Sequence, residues 1–473
     1  MLKRINDPLF GVIKIEEDEA YIINSPLFQR LRYITQLGLA HYVYPSATHS
    51  RFSHSLGVMH LASKIGDILN EKKDGLISKE DMKNLRMAAL LHDLGHFPYS
   101  HTLELSKDDN IIYKLPEYIK NGHEEFTTFL IDNSYIANFL DNHGFDRRFI
   151  QKLILRPKRL AEKIFLHDII HWELDADRLD YLLRDSYFTG VKYGFLDYQY
   201  LLENLDVTDY NNKEILVIND KAIRAVENLL ISRFSLYDRV YTHEIVTYFD
   251  FVLKRLFLNF TKCLIPNFIL NETDLIDIIK EMETAWDILE FNEAFLYQNL
   301  YKMYKVLKKN DNPTPHLKNI FYDLDTILLR RKNDEIFNEN RVSNKTTNDW
   351  NLRLEKIGNI IADLESLPDF EELNIRLKIP KNIFTKYEHT NFSSFGFDFS
   401  ELNEIKEQNL DTIIITDKFG EKERFFESKK TFFREIFNQK SIKVNVYIRK
   451  HDDSFKRKFE ERAKNQILDA LRE

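Results

Sequence analysis

Leu90-Leu91-His92-Asp93-Leu94-Gly95-His96-Phe97-Pro98-Tyr99-Ser100-His101 sets three histidines and an aspartate where an apolar run, Met87-Ala88-Ala89-Leu90-Leu91, gives out. Neighbours on a helix point about 100° apart, so His92 and Asp93 reach one ion only if it sits just off the helix end. Imidazole nitrogen and carboxylate oxygen suit Mn, Fe, Zn, Ni or Mg rather than a soft thiolate-type site. Gly95 and Pro98 break the helix and let His96 and His101 turn back toward the same point. Taken alone, the stretch reads equally well as an amphipathic helix followed by a polar loop. Partners elsewhere in the chain decide between the two.

Two partners stand out. His54 lies in Arg51-Phe52-Ser53-His54-Ser55-Leu56-Gly57, at a helix start, and Asp177 lies in Glu173-Leu174-Asp175-Ala176-Asp177-Arg178-Leu179-Asp180-Tyr181. With His92 and Asp93 they form a two-His, two-Asp set drawn from three helices. Such sets hold metals in helical bundles and leave positions open for water or phosphate oxygens. The plainer alternatives are a capping or core histidine at 54 and an exposed acid at 177.

Asp177, Tyr181 and Asp185 recur at i, i+4 and i+8, giving one polar face, with Leu179, Leu182 and Leu183 turned to the core. That face is either solvated or the wall of a cleft. Arg233, Tyr237 and Tyr241 repeat the spacing. They suit a phosphate and a packed ring, or else a snorkelling arginine over core aromatics. His96, His101, Glu104 and His123-Glu124 supply candidate general acids and bases near neutral pH.

Bulk properties exclude several classes. Of 473 residues, 43% are hydrophobic and 30% charged, as in a globular protein large enough for two or three domains. The 67 basic and 75 acidic residues leave a net charge of −8, which argues against a dedicated nucleic-acid binder. Cys263 is the single cysteine, so an intrachain disulfide and a Cys-rich zinc module are excluded. The N-terminus lacks the apolar run of a signal peptide, and no stretch approaches 18 uncharged apolar residues. A cytoplasmic protein without a membrane span is expected.

Along the chain, residues 1–24 read as extended and turn-rich. Ser25-Pro26 caps a helix carrying Phe28, Leu31, Ile34 and Leu37 and ending near Gly38. Ser53 is placed as the cap of a helix with Val58, Leu61, Ala62, Ile65 and Ile68 at helical spacing. Ser78 caps a third, which runs to His92. Residues 105–122 form a polar connection before a helix opening at His123. Helices continue to about 330, interrupted at Asp311-Asn312-Pro313-Thr314-Pro315, with little strand signal from 50 onward. Residues 338–349, rich in Asn, Ser and Thr, read as a linker or exposed loop. Thr412-Ile413-Ile414-Ile415 and Ile442–Ile448 read as strands, and 454–471 as a charged helix. The expected fold is therefore mainly α: a helical body over 1–335, including a short β/turn N-terminal segment, and a smaller α+β lobe over 350–473 for regulation or oligomerisation.

The order His54, His92-Asp93, Asp177 resembles the H…HD…D signature of HD-domain metal phosphohydrolases. Ser25-Pro26-Leu27-Phe28-Gln29-Arg30-Leu31-Arg32-Tyr33-Ile34, the stretches around His54 and His92, and Asp175–Asp185 resemble the deoxynucleoside triphosphate triphosphohydrolases, bacterial and vertebrate. The similarity runs from Asn6-Asp7-Pro8 to about 260 and returns around 440–465.

The resemblance implies that His54, His92, Asp93 and Asp177 hold a divalent metal (Mn, Fe, Mg, Zn or Ni). It implies that His96, His101, Glu104 and His123 line the reacting phosphate. Arg51, Arg178 and Arg233 would grip the triphosphate, with Tyr237 close by. Gln36 and Leu37 would meet the 3′ side of the sugar, while Tyr181, Asp185 and Tyr241 close around the deoxyribose. The implied reaction is water attack on the α-phosphorus, giving deoxynucleoside and inorganic triphosphate and lowering dNTP pools. Vertebrate members carry His, Gln and Lys where Tyr237, Thr242 and Arg178 stand.

The family also implies a homo-oligomer, dimer or tetramer, gated by an activating nucleotide. Lys3, Asn6, Gln29 and Arg32 match that machinery, but Asn24 replaces an aspartate that pairs with guanine. Two other readings stay open: an HD-type phosphodiesterase or nucleotidase with another substrate, and a nucleotide-sensing regulator with weak turnover.

Overall fold

The structure is a computed structural model. It describes residues 3–103, 122–155, 163–210, 213–262, 292–332, 334–343, 356, 359–360, 374–380, 387–392, 413–425, 428–431, 440–449, 457 and 464–472.

Lys3–Asp7 (β1) and Gly11–Ile15 (β2) pair antiparallel. Asp7 Oδ1 closes their turn by accepting from the Leu9 and Phe10 amides at 2.9 and 3.2 Å. A helix, Glu17–Ile23 (α1), follows where the sequence reads as extended. Its cap is a Glu16–Glu19 capping box, outside the usual Ser/Thr/Asp/Asn signal. Ser25 does cap Pro26–Gln29 (α2), accepting from the Phe28 amide. The expected continuation to Gly38 is replaced by a 3₁₀ turn, Arg30–Tyr33, and a bridge between Thr35 and Ser50. The turn sits over Arg30, whose fully buried guanidinium donates to the carbonyls of Leu94, at 3.0 Å, and His96.

Arg51–Lys72 (α3) is the central helix. Phe52, Leu56, Val58, Leu61, Ala62 and Ile65 are all buried, as their spacing requires. Its cap residue is Ser50, not Ser53. Ser53 already lies in the first turn and donates its hydroxyl back to Ser50 O at 2.8 Å. Lys79–Leu91 (α4) begins at Ser78, whose Oγ accepts from the Asp81 amide at 3.0 Å, and ends at His92.

The body continues with His123–Asp132 (α5), Tyr135–Asn142 (α6), Arg147–Ile154 (α7), Ile164–Asp168 (α8), Ala176–Thr189 (α9) and Tyr198–Glu203 (α10). A hairpin of Leu205–Asp209 (β3) and Glu214–Asn219 (β4) follows, then Ile223–Leu236 (α11) and a π-helical turn at Tyr237–Tyr241. Glu244–Lys262 (α12), Glu293–Lys308 (α13) and Pro315–Leu329 (α14) are the remaining helices among the described residues of the body. Helix α3 packs on α4, α9 and β3, which puts the start of α3, the end of α4 and the start of α9 at one corner. The architecture is mainly α, and among the described residues no helix is long and apolar enough to cross a membrane.

The strands correct the sequence reading in two places. β3 and β4 fall where little strand signal was read. They pair with Ile414–Thr416 and Lys422–Arg424 in one four-stranded sheet, β4 meeting Ile414–Thr416 in parallel. Strand Asp334–Ser343 reaches into the supposed linker or exposed loop at 338–349 as far as Ser343, because Lys440–Arg449 pairs with the strand's whole length; residues 344–349 lie outside the described residues. Local composition cannot report a partner a hundred residues away.

The chain divides into two compact units. One holds Met1–Leu329 with Asp411–Phe425, so that last segment joins the body rather than the C-terminal lobe to which the sequence assigned it. The other holds Arg330–Leu410 with Phe426–Glu473. Its four strands among the described residues, Asp334–Ser343, Lys440–Arg449, Asn374–Pro380 and Tyr387–Phe392, pair antiparallel in that spatial order. The described part of the terminal helix is Asn465–Arg472.

Candidate metal centre

Four side chains meet at the corner described above. His54 comes from the first turn of α3, His92 from just past the end of α4 with Asp93 beside it, and Asp177 from the first turn of α9. Ligand atoms of His54, His92 and Asp93 lie within 4.8 Å of one another. Asp177 Oδ1 is 3.1 Å from His54 Nε2 and 3.9 Å from His92 Nε2. Asp93 sets one oxygen 3.6 Å from His54 Nε2 and the other 3.4 Å from His92 Nε2.

The imidazoles are oriented from behind. His54 Nδ1 bonds Asp180 Oδ2 at 2.7 Å, and His92 Nδ1 bonds the Ala89 carbonyl at 2.8 Å. Each therefore directs Nε2 into the cluster, and the buried His92 Nε2 has no hydrogen-bond partner among the described residues. An imidazole held by carboxylate or carbonyl at one nitrogen and open at the other is the arrangement of a metal ligand. The donor set thus fits a divalent ion whose identity the geometry leaves open.

The charges agree. Burial alone would lower the His54 pKa, but hydrogen bonds to Asp177 and Asp180, with the Asp93 charge, raise it to about 10. This much negative charge around one imidazole invites a cation. Burial raises the Asp93 pKa, yet Arg51, His96 and His92 together hold it well below the usual carboxylate range. Asp180 keeps its charge through Arg184, which donates to both of its oxygens at 2.8 Å and reaches Asp7 at 2.9 Å.

Beside this cluster, His96, His101 and His123 bring ligand-type atoms together in a second group. The ring centroids of His96 and His123 are 3.8 Å apart, and those of His96 and His101 are 5.1 Å apart. Burial, then Arg51, hold His96 neutral, while Nδ1 stays 3.2 Å from Asp93 Oδ1. Glu104 lies outside the described residues.

Arg51 ion-pairs with Asp93 and donates from Nε to Ser100 Oγ at 2.8 Å. Arg178 and Arg233 share one acid, Glu173 Oε2, at 2.7 and 2.8 Å. Two guanidiniums on one carboxylate leave an excess positive charge. On α9, Asp185 is buried between His49, at 2.8 Å, and the Tyr241 hydroxyl, which donates at 2.5 Å. Along the Asp177–Tyr181–Asp185 face Asp185 is buried and Asp177 and Tyr181 are half-buried, so the face is not a fully solvated stripe, with Leu179 and Leu182 on the core side and Leu183 only half-buried. Tyr241 also packs edge-on against Tyr181 and Tyr237. Gln36 donates its backbone amide to His49 O at 2.9 Å and keeps a buried, unbonded side-chain oxygen, with Leu37 next to it.

The residues matched to nucleotide gating lie elsewhere. Lys3 and Asn6 are on β1, and Asn24 follows α1, donating to Ala20 O at 2.7 Å. Gln29 donates to Ile23 O and accepts from Arg32, whose guanidinium lies over Phe52.

Sequence reasoning missed Glu173, Asp180, His49 and Glu293. Nothing local marks Glu293. It opens α13 and sends Oε1 back to the Thr35 amide, the Thr35 hydroxyl and the Tyr99 amide, at 2.8, 2.8 and 2.9 Å. Burial of the carboxyl end raises its pKa to about 7, against those donors and Arg51. A folded-state pKa above the ordinary carboxyl value means that the fold binds a proton the unfolded chain has released. Wild-type stability should therefore fall as pH rises from about 4.5 to about 7. Glu293→Gln, uncharged throughout, should flatten that slope in urea midpoints measured from pH 5 to 8.

A helical site of His and Asp ligands, backed by a histidine triad and buried arginines, defines a class of metal-binding HD-type proteins. Residues 51–182 match the HD domain and residues 196–385 the HD associated region. An uncharacterized protein of Methanocaldococcus jannaschii is 39% identical over 54% of this chain and 49% of its own length. Deoxynucleoside triphosphate triphosphohydrolase SAMHD1 of Homo sapiens is 33% identical over 54% of this chain and 44% of its own. A hypothetical protein of Aquifex aeolicus, solved by crystallography, shares the fold across 99% of this chain and 100% of its own, with a TM-score of 0.67 and 26% identity. The chain belongs with the HD-domain proteins. It spans about half the length of the curated relatives it matches.

Proposed function

We propose that this chain is a divalent-metal-dependent hydrolase of deoxynucleoside triphosphates, releasing deoxynucleoside and inorganic triphosphate and lowering dNTP pools. The observation that carries the reading is the pair of Nε2 atoms on His54 and His92, locked from behind and facing Asp93 and Asp177. A bound divalent ion supplies polarisation of the α-phosphate and an activated water near neutral pH.

The chain's own groups do the rest. Arg178 and Arg233, half-neutralised by Glu173, hold the triphosphate, and Arg51 adds charge at the reacting phosphate. The His96, His101 and His123 group, with Glu104, moves the proton to the leaving 5′ oxygen. Gln36 and Leu37 meet the 3′ side of the sugar. Tyr181, Tyr241 and Asp185, which is set by His49 and Tyr241, close around the deoxyribose with no room for a 2′-hydroxyl.

Regulation belongs to the same reading: a homo-oligomer, dimer or tetramer, gated by a nucleotide at Lys3, Asn6, Asn24, Gln29 and Arg32. A carboxamide cannot accept from two guanine N–H groups as a carboxylate does. Asn24 therefore implies that guanine activation is lost or replaced, and full stimulation by GTP alone would refute this.

Incubation with each dNTP, singly and mixed, in the presence of Mn or Mg should yield triphosphate and deoxynucleoside. Release of pyrophosphate or orthophosphate would instead favour a phosphodiesterase or nucleotidase. Tight nucleotide binding without turnover would favour a sensor.

A further inference from the structure

Tyr99 and Ser100 are consecutive non-glycine residues in the left-handed region, at φ 59° and 54°. Two such residues in a row are unfavourable and persist only when their surroundings hold them. They immediately precede His101, and their side chains and amides tie the active corner together. Ser100 Oγ accepts from Arg51 Nε and donates to Thr35 O at 2.7 Å, while Arg51 ion-pairs with Asp93. The Tyr99 amide and both donors of Thr35 converge on a single oxygen, Glu293 Oε1. This carboxylate comes from the first residue of α13, outside the stretches whose motifs define the metal site.

We propose that Glu293 is a positioning residue for catalysis. Its Oε1 clamps Thr35 to Tyr99, holds the left-handed pair in place, and so delivers His101 to His96 and keeps Arg51 on Asp93. The clamp depends on the acceptor oxygen and its reach rather than on its charge, because all three partners are neutral donors. Glutamine preserves the oxygen at the same distance. Alanine removes it, and aspartate withdraws it by one methylene.

The inference rests on the hydrolase reading for its kinetic consequence, so the experiment carries a readout independent of turnover. Amide hydrogen exchange across residues 97–103 of the metal-loaded full chain should be about 2- to 10-fold faster at Tyr99 and Ser100 in Glu293→Ala and Glu293→Asp. In Glu293→Gln it should stay near wild type. Bound metal per chain should be the same in all four proteins. With dNTP as substrate, kcat of the alanine and aspartate variants should fall by about 10- to 100-fold with little change in KM, and glutamine should restore it.

Wild-type exchange in both Glu293→Ala and Glu293→Asp overturns the proposal. So does equal impairment of Glu293→Gln and Glu293→Ala, or a loss of metal that parallels the loss of rate. If the wild type turns over no dNTP, the functional reading fails, while the exchange comparison still decides the clamp. If the alanine variant does not fold, aspartate against glutamine decides it.

Discussion

Asp177→Ala is expected to strip the chain of its divalent ion and to cut hydrolysis by at least the ~10²–10³-fold that loss of one transition-state contact costs. Its folding stability should move by no more than roughly 0.5–1.5 kcal/mol, because its buried partners His54 and His92 keep their other hydrogen bonds, to Asp180 and to the Ala89 carbonyl. Asp177 is the one member of the set with appreciable exposure, 27% of its side chain, and its contacts run to His54 and His92. Adding Mn should raise the Tm of the wild type but not that of the variant. Equal metal content in the two proteins, measured by elemental analysis, would remove Asp177 from the site.

The sequence alone singles out Asp93→Ala for this purpose. The structure shows it to be the poorer test. Asp93 is also the ion-pair partner of the buried Arg51, and orphaning a buried charge costs about 3–5 kcal/mol. Loss of metal and loss of fold would then arrive together.

Gly57→Ala should have a large effect for a substitution that adds a single methyl. Gly57 lies in α3 against α9, and a Cβ there would overlap Asp180 Oδ1 and crowd the Arg184 guanidinium. Neither can give way easily, since Asp180 and Arg184 are fully buried and bound to each other. Overpacking of about 1–3 kcal/mol adds to the strain on this buried pair. If the helices part instead, Asp180 leaves His54 Nδ1 and the imidazole loses its orientation. Metal affinity should then fall by about 10- to 100-fold. Urea denaturation and metal titration should both register the change. A variant of wild-type stability and affinity would show that α3 and α9 do not meet at this closeness.

Much of the frame was readable because its signals are local. Ser25 and Ser78 cap where their side chains can reach the third amide, and the Val58–Ile65 periodicity names the buried face of α3. What escaped was set by distant partners. α1 is capped by glutamates, Arg30 diverts α2 into a 3₁₀ turn, and β4 becomes a strand beside residues 414–416. The site divides the same way. His92-Asp93 and its histidines announce themselves by chemistry and spacing. The groups that aim them, Asp180, Glu173 and Glu293, could not be read locally, because what marks each is the residue it meets in the fold.

The parallel pairing of β4 with Ile414–Thr416 has a consequence for how the molecule is made. The sheet of the body receives its third strand only after the chain has passed through most of the second unit. During synthesis the helices around the metal corner emerge early, yet the body stays two strands short until residues near 424 leave the ribosome. Contacts of such long sequence separation form late and slowly. Truncation before residue 411 should therefore leave β4 as an unpaired edge, prone to association with other chains rather than simply missing a tail.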